Sequence, residues 1–312
     1  MLAAQYNRYG APGVLFQGEA PVPALRARRV LVKVAATSVN RIDGVIRSGA
    51  LRLATGCRFP KGTGLDFAGE VTAIGTGATG VAVGDRVWGF LPGLASGRSA
   101  AAAEFVVSKP EHLGIAPSTI DLVDAAALPL VGVTALVGLW HAGVRPGSHL
   151  LVRGASGGVG GVAVQLGKAM GAHVTALTSA DTLDLVRSLG ADAALDYRTH
   201  GPSSLGRFDA IFDLTGTHLA AYRGLLAPRG RMVTTASTGI PYILLSHFHG
   251  PRRVRTFAAT PSRDRLTELA EFVNSGTLKP VIHRRFPLNE IAAAHQALLD
   301  GGVRGKVIVT VP

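Results

Sequence analysis

Cysteine is almost missing: one of 312 residues, Cys57. No disulfide can close within the chain, and a cysteine zinc cage is impossible. A reducing, intracellular setting fits best, and a cytoplasmic location is expected. Charge is also scarce, at 17% against a usual ~25%. With 47% hydrophobic residues, a disordered chain is excluded. Residues 1–14 lack a basic region followed by an apolar run, so no signal peptide is read. Long apolar runs are lacking too. The 16 uncharged residues between Asp124 and His141 are broken by Pro129, Gly132 and Gly138. A spanning helix needs ~20. Residues 232–251 are uncharged but carry Thr, Ser and two His. Both stretches are read as buried elements of a soluble protein, with no membrane partner. Only six of the 32 basic residues are lysine.

Arginine is what remains of the basic set, and the formal net charge is +12. The plain reading is a genomic preference for arginine; the functional one is an anionic partner. The densest cluster is Arg252, Arg253, Arg255, Arg263 and Arg265, with only Phe257 among them. That is a poor stacking surface, so no nucleic-acid partner is expected. Glycine is abundant, at 40 residues without a three-residue period, so many turns or close backbone approaches are expected and collagen is excluded. The length suggests two domains.

The first 120 residues read as strand and loop. Strands are expected at 30–36, 69–74, Arg86–Phe90 and 104–108, with glycine joints suggesting a small barrel or sandwich. Residues 121–139 are expected to be helical. From Ser148 the pattern alternates: strand His149–Arg153, helix 159–170 ended by Gly171, strand 173–177, helix 181–189 with Gly190 as its cap, then strands 209–213 and 231–235. Thr256-Phe257-Ala258 reads as the last strand of this series. Such alternation implies a parallel sheet. Helices Arg263–Asn274 and 289–299 and strand 306–311 close the chain. There is no internal repeat and no low-complexity linker.

Gly154-Ala-Ser-Gly157-Gly-Val-Gly160-Gly161 follows an expected strand and opens an expected helix. This is the context of a dinucleotide turn, where glycines admit a pyrophosphate to a helix N-terminus. The second strand ends in Leu177-Thr178-Ser179-Ala180, without the acid that reads an NAD ribose. Asp181 is the nearest carboxylate. It is read as a helix N-cap, with NAD selection as the rival role.

A resemblance rests on ordered motifs along nearly the whole length. They are Ser38-Val-Asn40-Arg-Ile-Asp43, Arg47-Ser-Gly49, Gly64-Leu-Asp66-Phe-Ala-Gly69-Glu-Val71 and Gly84-Asp-Arg-Val87. Next come Ala103-Glu-Phe-Val106 and Ala126-Ala-Leu-Pro-Leu-Val-Gly132-Val-Thr134-Ala135. The last are Leu189-Gly-Ala-Asp192, Asp196-Tyr197-Arg198 and Gly305-Lys306-Val307. The chain resembles the medium-chain dehydrogenase/reductase superfamily, in its zinc-independent quinone oxidoreductase-like and enoyl reductase-like branch. The resemblance implies an α/β fold. A Rossmann doubly wound parallel sheet is joined to a GroES-like β-rich catalytic domain. The expected division is 1–121 for the first part of the catalytic domain, 122–260 for the Rossmann domain and 261–312 for the returning segment. A homodimer is implied.

Zinc-dependent relatives carry Cys near Asn40 and His near Leu65, and neither is present. No metal site is expected. Without a Lewis acid, ordinary alcohol oxidation is disfavoured. Hydride transfer from NADPH to a quinone or an α,β-unsaturated carbonyl is favoured, with water or an ordered hydroxyl supplying the proton. The resemblance implies Asn40 beside the nicotinamide ribose as the catalytic-site residue and Thr134 on the nicotinamide. It places Gly154, Ala155, Ser156, Gly157, Gly158 and Val159 on the pyrophosphate. Ser179, Tyr197 and Arg198 would meet the adenosine 2′-phosphate, and Thr215 also lines the cofactor. Two departures stand out. Thr182 and Leu183 occupy the places of a usual 2′-phosphate lysine, with Arg198 or Arg187 as substitutes. Val45 and Leu51 stand where relatives have tyrosines. His247 and His249 are read as solvated or core residues. The alternative is a catalytically idle NADPH-binding redox sensor or interaction protein of the same fold.

Overall fold

The computed structural model describes residues 1–92, 101–235, 242, 246 and 254–312. They divide into two units. The first holds Met1–Val133, Thr260–Gly276 and Pro280–Pro312, and the second Thr134–Ala259 with Thr277–Lys279. The first unit extends past residue 121, where the sequence suggests a change. The short helix Leu122–Ala125 packs against four strands of that unit, Val30–Val39, Asp66–Ile74, Arg86–Phe90 and Lys306–Thr310.

In the first unit, β1 (Leu2–Tyr6) lies between β2 (Phe16–Glu19) and β4 (Lys61–Gly62). The larger sheet is built on β3 (Val30–Val39) and β5 (Asp66–Ile74), continued by β6 (Arg86–Phe90) and β8 (Leu113–Ile115). β7 (Phe105–Ser108) also pairs with β3. The chain returns at its end as β15 (Ile282–Pro287) and β16 (Lys306–Thr310), and β16 runs antiparallel to β3. Period-two alternation buries Val30, Val32 and Val34 on one face of β3, against Phe67, Val71, Val87 and Leu113. A second core gathers Tyr6, Leu15, Val39, Phe286 and Ile291.

Among the described residues, the second unit is built on a six-stranded parallel sheet. Its strands are β9 (His149–Arg153), β10 (His173–Thr178), β11 (Ala193–Asp196), β12 (Phe208–Asp213), β13 (Leu226–Thr234) and β14 (Val254–Thr256). Their order is β11-β10-β9-β12-β13-β14, the 3-2-1-4-5-6 order of a doubly wound sheet. Central strands of such sheets are covered on both faces and read as continuous apolar runs. Leu150, Leu151 and Val152 of β9 are accordingly all inaccessible. The chain order reverses between β9 and β12, which is where such folds bind ligands.

The expected helix over 121–139 is broken in two. Asp121 accepts the Asp124 N–H at 2.7 Å and caps Leu122–Ala125. Pro129 then opens a new helix, Pro129–Ala142, because a proline inside a helix removes a donor and clashes with the preceding turn. The helix expected over 181–189 begins as a tight turn, Ala180–Thr182, before Leu183–Ser188. Asp181 lies inside that turn and not at a cap; the residue before the turn is Ser179, and Thr182 precedes the helix. The last strand is Val254–Thr256, two residues earlier than read from the sequence. Strands β1, β2, β4, β8, β11 and β15 were not expected at all. Among the described residues, no helix is long and apolar enough to cross a membrane.

Candidate functional site

The glycine turn leaves the carboxyl end of β9 in the second unit. Its three spaced glycines differ in what requires them. Gly154 has φ +77°, in the left-handed region where side chains are strained. Gly160 is demanded by packing, since an added Cβ would lie 2.2 Å from the Gly154 carbonyl oxygen. Gly157 is required by neither. Its φ is −76°, and an added Cβ would meet only the Gly154 oxygen, at 3.5 Å. It is the N-cap of helix Gly158–Ala169, a place where Ser, Thr or Asp would stabilise the helix. The N–H groups of Gly158, Val159 and Gly160 have no acceptor among the described residues. A helix start with unpaired donors and a bare approach fits a pyrophosphate.

Hydroxyls tie this turn to β10. Thr178 Oγ1 donates to Ser156 Oγ at 2.9 Å and lies 2.7 Å from Thr182 Oγ1. Ser179 Oγ is 3.2 Å from the same Thr182 hydroxyl. At the end of β11, the Tyr197 N–H donates to the Thr178 carbonyl at 2.9 Å. Tyr197 is half exposed, and the Arg198 guanidinium lies 4.9 Å from its ring centre. Ser156, Ser179, Tyr197 and Arg198 therefore gather at one edge of the sheet. Arg187 turns elsewhere, donating to Asp184 at 2.7 Å on its own exposed helix face.

Thr215 follows β12. Its methyl lies 3.4 Å from where a Cβ on Gly154 would stand, and its hydroxyl donates to Asp213 at 2.9 Å. Asp213 also takes a short ion pair from Arg153, whose guanidinium stacks 3.5 Å over the Tyr222 ring. Thus Thr215 joins the glycine turn, held by a buried pair that the sequence reading passed over. Ala155 is buried beneath the turn. Thr134 stands on another element, half-buried on helix Pro129–Ala142.

Asn40 belongs to a buried polar cluster of the first unit. It ends β3 and precedes helix Arg41–Arg47, and its N–H donates to Asp43 at 2.7 Å. Its Nδ2 donates to Asp66 at 2.7 Å and to the Ser38 carbonyl at 3.3 Å. Lys306, at the start of β16, reaches Asn40 Oδ1 at 2.6 Å and Asp66 at 3.5 Å. Asp66 is fully buried and also accepts from Ser38 Oγ at 2.6 Å and the Leu130 N–H at 2.7 Å. Burial pushes the Lys306 ammonium below the usual lysine range, opposed by the charges of Asp66 and Asp43. Burial pushes the Asp43 carboxyl up to about 7, opposed by its bond from Asn40 and by Lys306. Sequence reading missed Lys306 as a partner of Asn40. The signal was present: one of six lysines heads an otherwise apolar strand.

His247, His249, Arg252 and Arg253 lie outside the described residues. Arg263, from the same basic cluster, donates to the Pro110 carbonyl at 2.7 Å and serves the first unit's packing. No cluster of three His, Cys, Asp or Glu able to hold a metal occurs among the described residues.

Two family profiles match the chain. Alcohol dehydrogenase GroES-like domain covers residues 26–118, and Zinc-binding dehydrogenase covers 189–309. The chain is 33% identical to a chloroplast envelope quinone oxidoreductase homolog of Arabidopsis thaliana, over 99% of this chain and 98% of that one. It is 32% identical to a chloroplastic NADPH-dependent alkenal/one oxidoreductase of the same plant, over 99% and 79%. Among solved structures, the quinone oxidoreductase of Coxiella burnetii superposes with a TM-score of 0.94 at 30% identity, covering 100% of this chain and 99% of that one.

Proposed function

The chain belongs to the zinc-independent, quinone oxidoreductase-like branch of the medium-chain dehydrogenase/reductase superfamily, and from that premise we propose an NADPH-dependent reductase of quinones or α,β-unsaturated carbonyls. The observation that carries the nucleotide part is Gly157, a glycine that neither its backbone angle nor its packing requires. Its smallness serves a group outside the chain. Beside it, three backbone donors at a helix start offer bonds to pyrophosphate oxygens.

The choice of NADPH rests on the edge formed by β10 and β11. Hydroxyls of Ser156, Thr178 and Ser179 stand where an NAD-reading acid would repel a 2′-phosphate. Arg198, braced on Tyr197, supplies the positive charge that the missing lysine would bring. Asp196 tempers this charge, with its carboxylate 4.0 Å from the guanidinium. The relative named as an NADPH-dependent alkenal/one oxidoreductase is consistent with this choice.

When bound, the nicotinamide supplies the hydride, and the protein supplies position. In this reading Gly154 to Val159 hold the pyrophosphate, and Thr215 lines the cofactor beside them. Thr134 meets the nicotinamide and Asn40 its ribose. The expected assembly is a homodimer.

The test is turnover of NADPH with a panel of quinones and enones, followed by loss of NADPH absorbance, with binding measured in parallel. Oxidation by at least one acceptor class is expected. Tight NADPH binding without turnover across the panel would favour an idle nucleotide sensor instead.

A further inference from the structure

β9 and β10 each open on a histidine, His149 and His173. The parallel register sets the two opposite each other, held by the His173 N–H donating to the Ser148 carbonyl at 2.9 Å. In-register neighbours share a face of the sheet, on strands ~4.8 Å apart. Both residues are exposed, and their ring centres lie 5.4 Å apart with planes inclined by 32°. Among the described residues, neither ring has a hydrogen-bond partner. His200, His283 and His295 differ, each with a ring nitrogen beside a polar partner. A carboxylate stands by each strand start. Asp209 accepts the His149 N–H at 3.0 Å, and Asp192 accepts the Val174 N–H at 2.8 Å. Lys168, 2.5 Å from Asp192, offsets the second of these charges.

We propose that His149 and His173 form a two-histidine site for a divalent transition-metal ion of the Ni²⁺, Cu²⁺ and Zn²⁺ class, at the amino edge of the parallel sheet. Imidazole nitrogen suits these ions, with bonds of about 2.0–2.1 Å to zinc. Adding the half-width of each ring, two imidazoles on one tetrahedral ion have centres about 5 Å apart. The observed 5.4 Å comes within reach of that by rotation about the side-chain bonds. Water completes the shell, so the ion exchanges and a chelator removes it, unlike the ion of a closed four-ligand site. The glycine turn leaves the opposite end of β9, about 13 Å along the strand. The site therefore stands apart from the nucleotide chemistry, and the inference does not depend on the reductase reading.

The test is isothermal titration of the whole chain with NiCl2, and with MnCl2 for comparison. Ni²⁺ is expected to bind with a dissociation constant below about 0.1 mM. Mn²⁺ should bind at least about tenfold more weakly, because it favours oxygen donors. His149→Gln and His173→Gln should each weaken the Ni²⁺ site by about tenfold or more, and the double variant should lose little beyond either alone. His200→Gln should leave Ni²⁺ binding unchanged, and NADPH affinity should be unaltered in every variant. Mn²⁺ binding as tight as Ni²⁺ would assign the ion to carboxylates. Unchanged Ni²⁺ binding in the double variant would assign it to other histidines. Either result, or no Ni²⁺ binding up to about 1 mM, would overturn the site.

A measurement on the unaltered protein stands beside these variants. The chain has ten histidines, and selective 15N-histidine labelling reports on each of them. Substoichiometric Cu²⁺, whose unpaired electron broadens nearby signals, should broaden His149 and His173 first and together. Added EDTA should restore both. Broadening that begins at another histidine, or at none, would overturn the assignment.

Discussion

A Cβ on Gly160 would fall 2.2 Å from the Gly154 carbonyl oxygen and 2.7 Å from the Ala155 Cα, so strand end and helix start meet there as bare backbone. A Cβ on Gly157, three residues earlier, would make only an ordinary 3.5 Å contact with the Gly154 carbonyl oxygen. Two glycines of one turn thus stand in different settings, one required by packing and the other, in the proposed reading, by a ligand, and substitutions should separate them.

Gly160→Ala is expected to lower unfolding free energy by about 1–3 kcal/mol, the usual cost of overpacking a filled site. Gly157→Asp should leave the fold intact by circular dichroism. It should weaken NADPH by roughly two to four powers of ten, through the loss of two charge-assisted bonds and repulsion of the phosphates. Near-normal affinity in a folded Gly157→Asp protein would reduce the turn to a packing feature.

Arg198→Ala should weaken NADPH by about tenfold and leave NADH unchanged, because only NADPH carries the 2′-phosphate. Arg187→Ala should change neither, since that guanidinium is engaged with Asp184 on its own helix. Titration with both nucleotides decides. Equal losses for NADPH and NADH in the Arg198 variant would show that Arg198 shapes the site without reading the phosphate.

The parallel sheet was legible because its strands are short apolar runs punctuated by glycines, and the turn at Gly154 announced itself by spacing. What escaped was of another kind. β11 carries only Ala193-Ala-Leu-Asp196, too short and small to stand out from a loop, yet it brings Tyr197 to hydrogen-bond the end of β10, with Arg198 beside it. β15 reads Ile282-His-Arg-Arg-Phe-Pro287, too polar for a strand until β16 pairs with it. Lys306 is 266 residues from Asn40, and only the antiparallel register that sets Val307 opposite Val39 brings them together. Long-range pairing of this sort has no local signal. Asp181 failed in the opposite way: its local signal for a cap was good, and a tight turn took the cap position instead.

Purified protein is expected to carry no stoichiometric zinc, and chelators should leave activity unchanged. The ground is the donor set: Asn40 and Leu65 stand where zinc-dependent relatives place Cys and His, and Cys57 is the only thiol. Asn40 is moreover occupied on three sides by Asp66, Ser38 and Lys306. Elemental analysis of the isolated chain would settle it, and one tightly held zinc per chain would refute the assignment.

The first unit holds two buried titratable groups whose pH effects oppose. Burial raises the Asp43 carboxyl to about 7, against about 4 when unfolded. Between those values the folded chain keeps a proton that the unfolded chain releases, so this group makes stability fall as pH rises from about 4 to about 7. Burial, and then the nearby Arg47 charge, lower His295 to about 3, against about 6.5 unfolded. Here the unfolded chain binds the extra proton, so stability climbs as pH rises from about 3 to about 6.5. Over the shared window the two slopes offset each other. Asp43→Asn keeps an acceptor for the Asn40 N–H but removes the titration. Relative to the parent, its stability should gain with rising pH across that window and stay level above about pH 7. His295→Gln should do the reverse, losing ground as pH rises through the same range. Urea unfolding of both variants and the parent at several pH values measures this, and curves that run parallel would show that neither group titrates on unfolding as its burial demands.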